Sequence, residues 1–308
     1  MRSTTLRNTT LLGLFICGAI VTGCASGAKD EKGTPLVAGG GDSTTSATGT
    51  VSGTQTVASN LPEPAQVPVD PATAKVAWKE GVASFENGDF GTSVTKLKIA
   101  VAGRPQDAYR RYLLGLALWK SGDLEGAESS LVASVKLDAT RIKPWINLAR
   151  VRNDREDRSG ALEAADTALA LSPDSADALH QKGRALMELT RGDEALEALT
   201  AARGLDGGNG YIANTLGLLL IQLGKPADAI EPLEAAKTAL PHMAYVRNNL
   251  GVAYERTGHL DESKIEYLAA VDAGDAGGKA MKSLVRLGAT DTTQPKVDAV
   301  TTAATTPQ

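Results

Sequence analysis

A small residue recurs every 34 positions along this chain. Gly81, Gly115, Ala149, Gly183, Gly217 and Gly251 form one ladder. Ser93, Ala127, Ala161, Ala195, Ala229 and Ser263 form a second, twelve residues further on. Ala100, Ser134, Ala168, Ala202, Ala236 and Ala270 form a third, seven beyond that. Every rung holds Gly, Ala or Ser, without an insertion. A chain rich in small residues could show one such ladder by composition alone. Three in register require a repeated structural unit, and a period of this length marks a helical array. Close packing explains the rungs. A small residue at place 8 of each unit lets its first helix approach the second. Small residues at places 20 and 27 let the second helix nest against the first and against the next unit. Larger apolar side chains fill the gaps: Leu114, Leu148, Leu216 and Leu250 at place 7, and Leu97, Leu131, Leu199, Leu233 and Tyr267 at place 24. Pro105, Pro173 and Pro241 mark turns at place 32.

Leu250-Gly251, Tyr254 and Gly258 show the pattern most fully. The unit resembles the tetratricopeptide repeat, whose motif runs Trp-x2-Leu-Gly-x2-Tyr, then Ala, an aromatic or Leu, Ala and Pro. The resemblance covers 74–275 as six repeats: 74–107, 108–141, 142–175, 176–209, 210–243 and 244–275. It implies an all-α superhelical solenoid of helix-turn-helix units and says little about partners, because function lives in sites grafted onto a fold. Gly88, Gly122, Gly224 and Gly258 stand where a helix end needs a left-handed residue. Repeats three and four depart from this. Repeat three has Asn153-Asp154-Arg155-Glu156-Asp157-Arg158, read as a solvated loop or a contact point on one edge. Repeat four has Thr190-Arg191-Gly192, with its glycine two places late. Gly207-Gly208-Asn209-Gly210 reads as a loose turn or a soft joint between repeats four and five.

The first residues read as an export signal. Arg2 and Arg7 precede an apolar stretch, Leu11 to Val21, too short for a comfortable membrane span. Val21-Thr22-Gly23-Cys24 then resembles the lipobox of bacterial lipoproteins. That resemblance implies removal of 1–23 and acylation of Cys24, with Ala25-Ser26 directing the protein to the outer membrane, or to the extracytoplasmic face if the cell has one membrane. Two or three acyl chains, at about 0.8 kcal/mol per buried methylene, anchor firmly. The other cysteine, Cys17, lies in the removed segment, so the mature chain keeps neither a free thiol nor a disulfide. Residues 24–73 are a Gly, Ser, Thr and Pro-rich tether with too few apolar side chains to order themselves. Residues 276–288 are expected to form a capping helix, with Met281, Leu284, Val285 and Leu287 at helical spacing, because a terminal repeat needs its open face closed. The Thr-rich tail, 289–308, is expected to be disordered.

No catalytic constellation stands out. His180, His242 and His259 lie in different repeats, and no His-Glu-x-x-His pair, Cys/His cluster or Gly-x-Ser-x-Gly elbow is present. No metal site, cofactor or enzymatic activity is expected. A net charge of −4, or −6 without Arg2 and Arg7, argues against nucleic acid, which calls for a basic stripe.

The family resemblance implies a concave groove lined by places 2, 5, 9 and 12–13 of each first helix. Threading puts there Trp78 and Phe85; Tyr109, Tyr112 and Trp119; Asn147, at place 6, and Arg150; Arg184; Tyr211 and Asn214; and Tyr245 and Asn248. Tyr and Trp dominate binding hot spots. Asn214 and Asn248 carry amides able to bond both N–H and C=O of an extended peptide. Trp78, Phe85 and Trp119 either join this surface or pack against neighbouring helices. The expected ligand is a protein or peptide in the groove, in support of a cell-envelope assembly. Six repeats behind a lipobox also resemble the pilotins of type IV pilus systems, which serve a secretin ring. The alternative is a spacer or self-associating envelope protein without a specific groove ligand.

Overall fold

The computed structural model describes residues 69–275 and 278–288. The expected signal segment, Cys24, all of the tether before residue 69, and the tail lie outside these. Among the described residues there are thirteen α-helices and no strand: α1 (Pro71–Glu86), α2 (Phe90–Gly103), α3 (Ala108–Lys120), α4 (Leu124–Leu137), α5 (Ile142–Asp154), α6 (Arg158–Leu171), α7 (Ala176–Glu188), α8 (Gly192–Leu205), α9 (Gly210–Gln222), α10 (Pro226–Ala239), α11 (Ala244–Arg256), α12 (Leu260–Asp272) and α13 (Lys279–Arg286). Short polar caps define many starts. Asp70, Asp89, Asp107, Asp123, Asp157, Ser175 and Asn209 each accept a hydrogen bond from backbone N–H groups of the first turn, satisfying donors that have no intrahelical partner.

Each odd-numbered helix packs on the even-numbered helix that follows it, and each even-numbered one on the next unit. First helices also touch first helices, α3 to α5, α5 to α7, α7 to α9 and α9 to α11, whereas no two second helices make comparable contact. The array therefore curves toward its first helices, which form the concave layer. The first ladder explains how closely each pair packs. A Cβ built on Gly217 would lie 2.4 Å from Leu233 Cγ, so place 8 yields its volume to place 24, sixteen residues on. Repeat three solves the same problem differently, with Ala149 opposite Ala165, both fully buried. In repeats one and six the second-ladder serine adds a bond: Ser93 Oγ donates to the Gly81 carbonyl and Ser263 Oγ to the Gly251 carbonyl, both at 2.9 Å.

The turn inside each unit is also periodic in its backbone. Gly88, Gly122, Glu156, Thr190, Gly224 and Gly258 all have positive φ, and they stand 34 residues apart. Repeats three and four keep the left-handed turn although its glycine is gone. The charge run of repeat three is solvent-exposed at Arg155, Glu156 and Asp157, yet its charges are also paired. It stitches three repeats together. Arg152 and Arg155 both reach Glu128 of α4, Asp157 caps α6, and Arg158 pairs with Glu188 of α7. The glycine-rich turn before α9 is bonded and packed at its α9 end. Asn209 Oδ1 accepts from the N–H of Tyr211 and Ile212, Gly210 is packed under Leu240 and Ala239, and one apolar cluster continues from Leu186 to Ala253. At the C-terminal end α13 buries Ala280 and Leu284 against Tyr267 and Ala270. Met281 and Val285 face outward. No described helix is long and apolar enough to cross a membrane.

Candidate functional site

The concave layer is held by side chains that bond across adjacent repeats. Trp119 Nε1 donates to Asp154 Oδ2 at 2.8 Å, and Asn147 Nδ2 reaches the Tyr112 hydroxyl at 3.3 Å. His180 Nε2 meets Thr215 Oγ1 at 2.9 Å. Asn249 Nδ2 donates to Asn214 Oδ1 at 3.0 Å, and Arg256 Nη1 to the Ile221 carbonyl at 2.9 Å. Each bond spans 35 residues. One repeat plus one residue is the step that brings two adjacent first helices side by side. Thr215 gives its own proton to the Tyr211 carbonyl, so its oxygen is left to accept from His180 Nε2–H. Burial, with Arg184 and Arg150 nearby, holds His180 neutral, its pKa lowered to about 3.

These bonds redistribute the expected groove residues. Trp119 is a strut rather than a binding face. Its N–H is spent on Asp154, and its ring faces carry Lys120 Nζ at 4.4 Å and the Arg150 guanidinium at 5.3 Å. Phe85 stacks edge-on against Phe90 at 5.5 Å within the apolar core. Arg184 is held by Asp154 and Gln181. Asn214 is buried with its carbonyl oxygen turned to Asn249, so its amide is not presented to a peptide. The Oδ1 atom of Asn248 is buried without a hydrogen-bond partner among the described residues. Tyr211 packs partly buried beside Val246. For Trp119 and Asn214 the physical reason is shared: a residue at a groove position also faces the next repeat, and a polar neighbour one place later captures it.

What stays open clusters at the N-terminal end. Tyr109 is 45% exposed. Its ring lies 5.8 Å from Trp78 and 6.1 Å from Tyr112, forming a continuous aromatic row. The Arg141 guanidinium sits 5.2 Å above Tyr109, and Arg110 lies 5.3 Å from the centre of Trp78. Beside this row an open pocket of about 570 Å³ is lined by Arg104, Pro105, Gln106, Asp107, Ala108, Tyr109 and Arg141. Arg150 lies deeper, donating to Asn147 Oδ1 at 3.1 Å. Burial pulls its pKa down, and Asp177 opposes the shift. Tyr245 is the other exposed ring, at the far end. A smaller polar pocket of about 340 Å³, lined by Asp154, Arg158, Arg184, Met187 and Leu218 among others, lies midway along the layer. Arg104 and Arg141, which stand in the turns between repeats, were not among the groove positions read from the sequence, which are first-helix places alone. No three His, Cys, Asp or Glu side chains converge as a metal site among the described residues.

The tetratricopeptide-repeat profile matches residues 79–140, 146–210 and 214–278, well over half the chain. Among solved structures, the thermophilic tetratricopeptide protein TTC0263 of Thermus thermophilus aligns at TM-score 0.50 and 21% identity, over 59% of this chain and 98% of its own. PilF of Pseudomonas aeruginosa aligns at 0.54 and 23%, over 61% and 85%. The Cut9-Hcn1 assembly of the APC/C aligns at 0.64 and 14%, over 70% of this chain but 42% of its own. At these identities the likeness is one of fold. No match was found among curated proteins.

Proposed function

This chain belongs to the tetratricopeptide-repeat family, and on that premise we propose that it is a lipid-anchored envelope scaffold. Its concave groove holds a segment of a partner protein and supports assembly of a cell-envelope complex; it is not an enzyme. The observation that carries the binding half is the aromatic row of Trp78, Tyr109 and Tyr112, exposed at Tyr109, beside an open pocket. Aromatic anchors in a concave surface are where binding energy concentrates. The anchor rests on Val21-Thr22-Gly23-Cys24, which in this reading puts the groove on the periplasmic side of an outer membrane, or outside the membrane of a single-membrane cell. Service to a secretin in the manner of a type IV pilus pilotin is the more specific role, supported by the lipobox together with a six-repeat array.

Two measurements in the native host test it. A clickable fatty acid should label the full chain and should not label Cys24→Ser, which should leave the membrane fraction. A photo-crosslinking amino acid at Tyr109 should capture one envelope protein that the same group at Lys98, on α2, does not. Equal capture from both positions, or none from Tyr109, would remove the groove and leave a spacer or self-associating protein. Labelling that survives Cys24→Ser would remove the anchor.

A further inference from the structure

Charge is sorted between the two helix layers. The six first helices, α1, α3, α5, α7, α9 and α11, carry twelve Lys/Arg and six Asp/Glu. The six second helices, α2 to α12, carry seven and fourteen. A chain of net charge −4 thus turns a basic layer inward and an acidic layer outward. The excess is concentrated in α3 and α5, which hold six cations and one carboxylate, Asp154.

The second observation is how these cations are satisfied. In the later repeats they are matched to carboxylates: Lys182 to Asp166, Arg203 to Glu231, and Lys237 and Arg247 to Glu266. In repeats one to three some cations are paired, Lys96 with Glu80, Arg110 with Asp107, and Arg152 and Arg155 with Glu128, but a subset is not. Among the described residues, no ion pair within 4 Å reaches Arg104, Arg141, Lys143 or Arg150. Arg141 and Arg150 lie over ring faces instead, and all four cation–π contacts of the described residues fall here. A ring face orients a guanidinium but leaves its edge N–H groups free to bond a carboxylate. Two of the unmatched cations, Arg104 and Arg141, line the pocket beside the exposed Tyr109, and Arg150 lies over Trp119 and bonds Asn147. The Tyr112 hydroxyl feels both Arg141 and Arg150, which places them around one stretch of groove.

We propose that repeats one to three select an extended acidic segment of a partner protein, with Arg141 and Lys143 at the rim and Arg150 on the floor meeting its carboxylates, and Tyr109 and Tyr112 packing between. This deepens, and rests on, the reading of the groove as a protein-binding surface. Lys143 and Arg150 are seven residues apart on α5, about 10 Å along the axis at 1.5 Å per residue. An extended chain covers that distance in about three residues, so carboxylates spaced by three match it. The acidic part of the outer layer is α8, α10 and α12, with three Lys/Arg and ten Asp/Glu; it repels a bilayer or a nucleic-acid duplex laid along the array, whereas a single strand confined to repeats one to three does not meet it.

The test uses the full chain and fluorescence anisotropy with labelled twelve-residue probes: a Glu-Gly-Gly repeat and its Gln and Lys counterparts. The Glu probe should bind at least tenfold tighter than the Gln probe and should weaken several-fold at high salt. Arg150→Gln should cost about tenfold in affinity. The double variant Arg141→Gln/Lys143→Gln, at exposed positions that do not threaten folding, should cost as much or more. Lys96→Gln/Lys98→Gln on α2 should cost nothing. Equal affinity for Glu and Gln probes, a preference for the Lys probe, or indifference to the rim variants would overturn the proposal. So would tighter binding of single-stranded DNA or anionic vesicles than of the Glu probe. If crosslinking from Tyr109 captures a partner through a neutral or basic stretch, the scaffold reading stands and acidic selection alone falls. If the Glu probe binds as expected but Tyr109 captures nothing in the cell, the scaffold reading falls instead.

Discussion

Thr190→Gly should make this protein more stable, although it deletes a side chain and adds nothing. Thr190 has φ 58 and Glu156 φ 64, at the place where four other repeats use glycine. An L-residue in the left-handed region costs about 1–2 kcal/mol, and a β-branched one is the least suited to it. Glycine returns about 0.5–1 kcal/mol of that through its freedom in the unfolded chain. Thr190 is exposed, so little contact is lost. The net gain is about 0.5–1 kcal/mol for each site, and about twice that for Thr190→Gly with Glu156→Gly, since distant sites add. Glu156 gives up only an exposed pair with Arg158 at 3.8 Å, worth little. The reverse substitution is the control. A Cβ on Gly122 meets nothing within 4 Å, so Gly122→Ala measures the backbone cost alone, about 1 kcal/mol. Urea unfolding followed by circular dichroism reads both, provided the slope is unchanged between variants. At about 2–4 °C per kcal/mol for an array of this size, the thermal midpoint should rise by about 2 °C for each gain. A neutral Gly122→Ala, or a Thr190→Gly that lowers the urea midpoint, would refute the reasoning and show the turn to be unstrained.

Three further outcomes are expected. His180 is neutral when folded, its pKa lowered to about 3 against 6.5 in the unfolded chain. Between those values the unfolded state binds the extra proton, so stability should fall as pH drops from about 6.5 toward 3, at up to about 1.4 kcal/mol per pH unit; His180→Asn should flatten that slope in urea titrations, and an unchanged slope would clear His180 of the effect. Gly217→Val should destabilise by about 1–3 kcal/mol, because its Cβ would approach Leu233 Cγ to 2.4 Å; Gly204→Val on α8, where a Cβ meets nothing, should cost well under about 1 kcal/mol in the same titration, and equal costs would remove the close-packing argument. Trp119→Phe and Asp154→Asn should be coupled by about 0.5–3 kcal/mol in a double-mutant cycle if Trp119 is an inter-repeat strut; purely additive costs would return Trp119 to the groove.

The 34-residue ladders determined the helix-pair unit, its six copies and the face on which each small residue sits. That information is local to one unit. A glycine at place 8 and a leucine at place 24 are sixteen residues apart and meet in the same way in four of the six copies, with Tyr267 taking the leucine's place in the sixth. Even Ala149 with Ala165 was open to reading as a compensated pair, and the layered charge becomes visible in the sequence once the helices are assigned. Only the tertiary structure decided which groove residues are spent and which are presented. Trp119, Asn214 and Arg184 occupy groove positions as surely as Tyr109 does, yet Asp154, Asn249 and Gln181 claim their polar groups. For Trp119 and Asn214 the difference lies in what stands one place further on in the next repeat, and for Arg184 partly in Asp154 of the preceding one; a period that records residue type within a unit carries no trace of these pairings. Glu156 and Thr190 hold to the same cause in reverse. The packed array imposes its turn on every repeat, so the backbone stays periodic where the sequence does not.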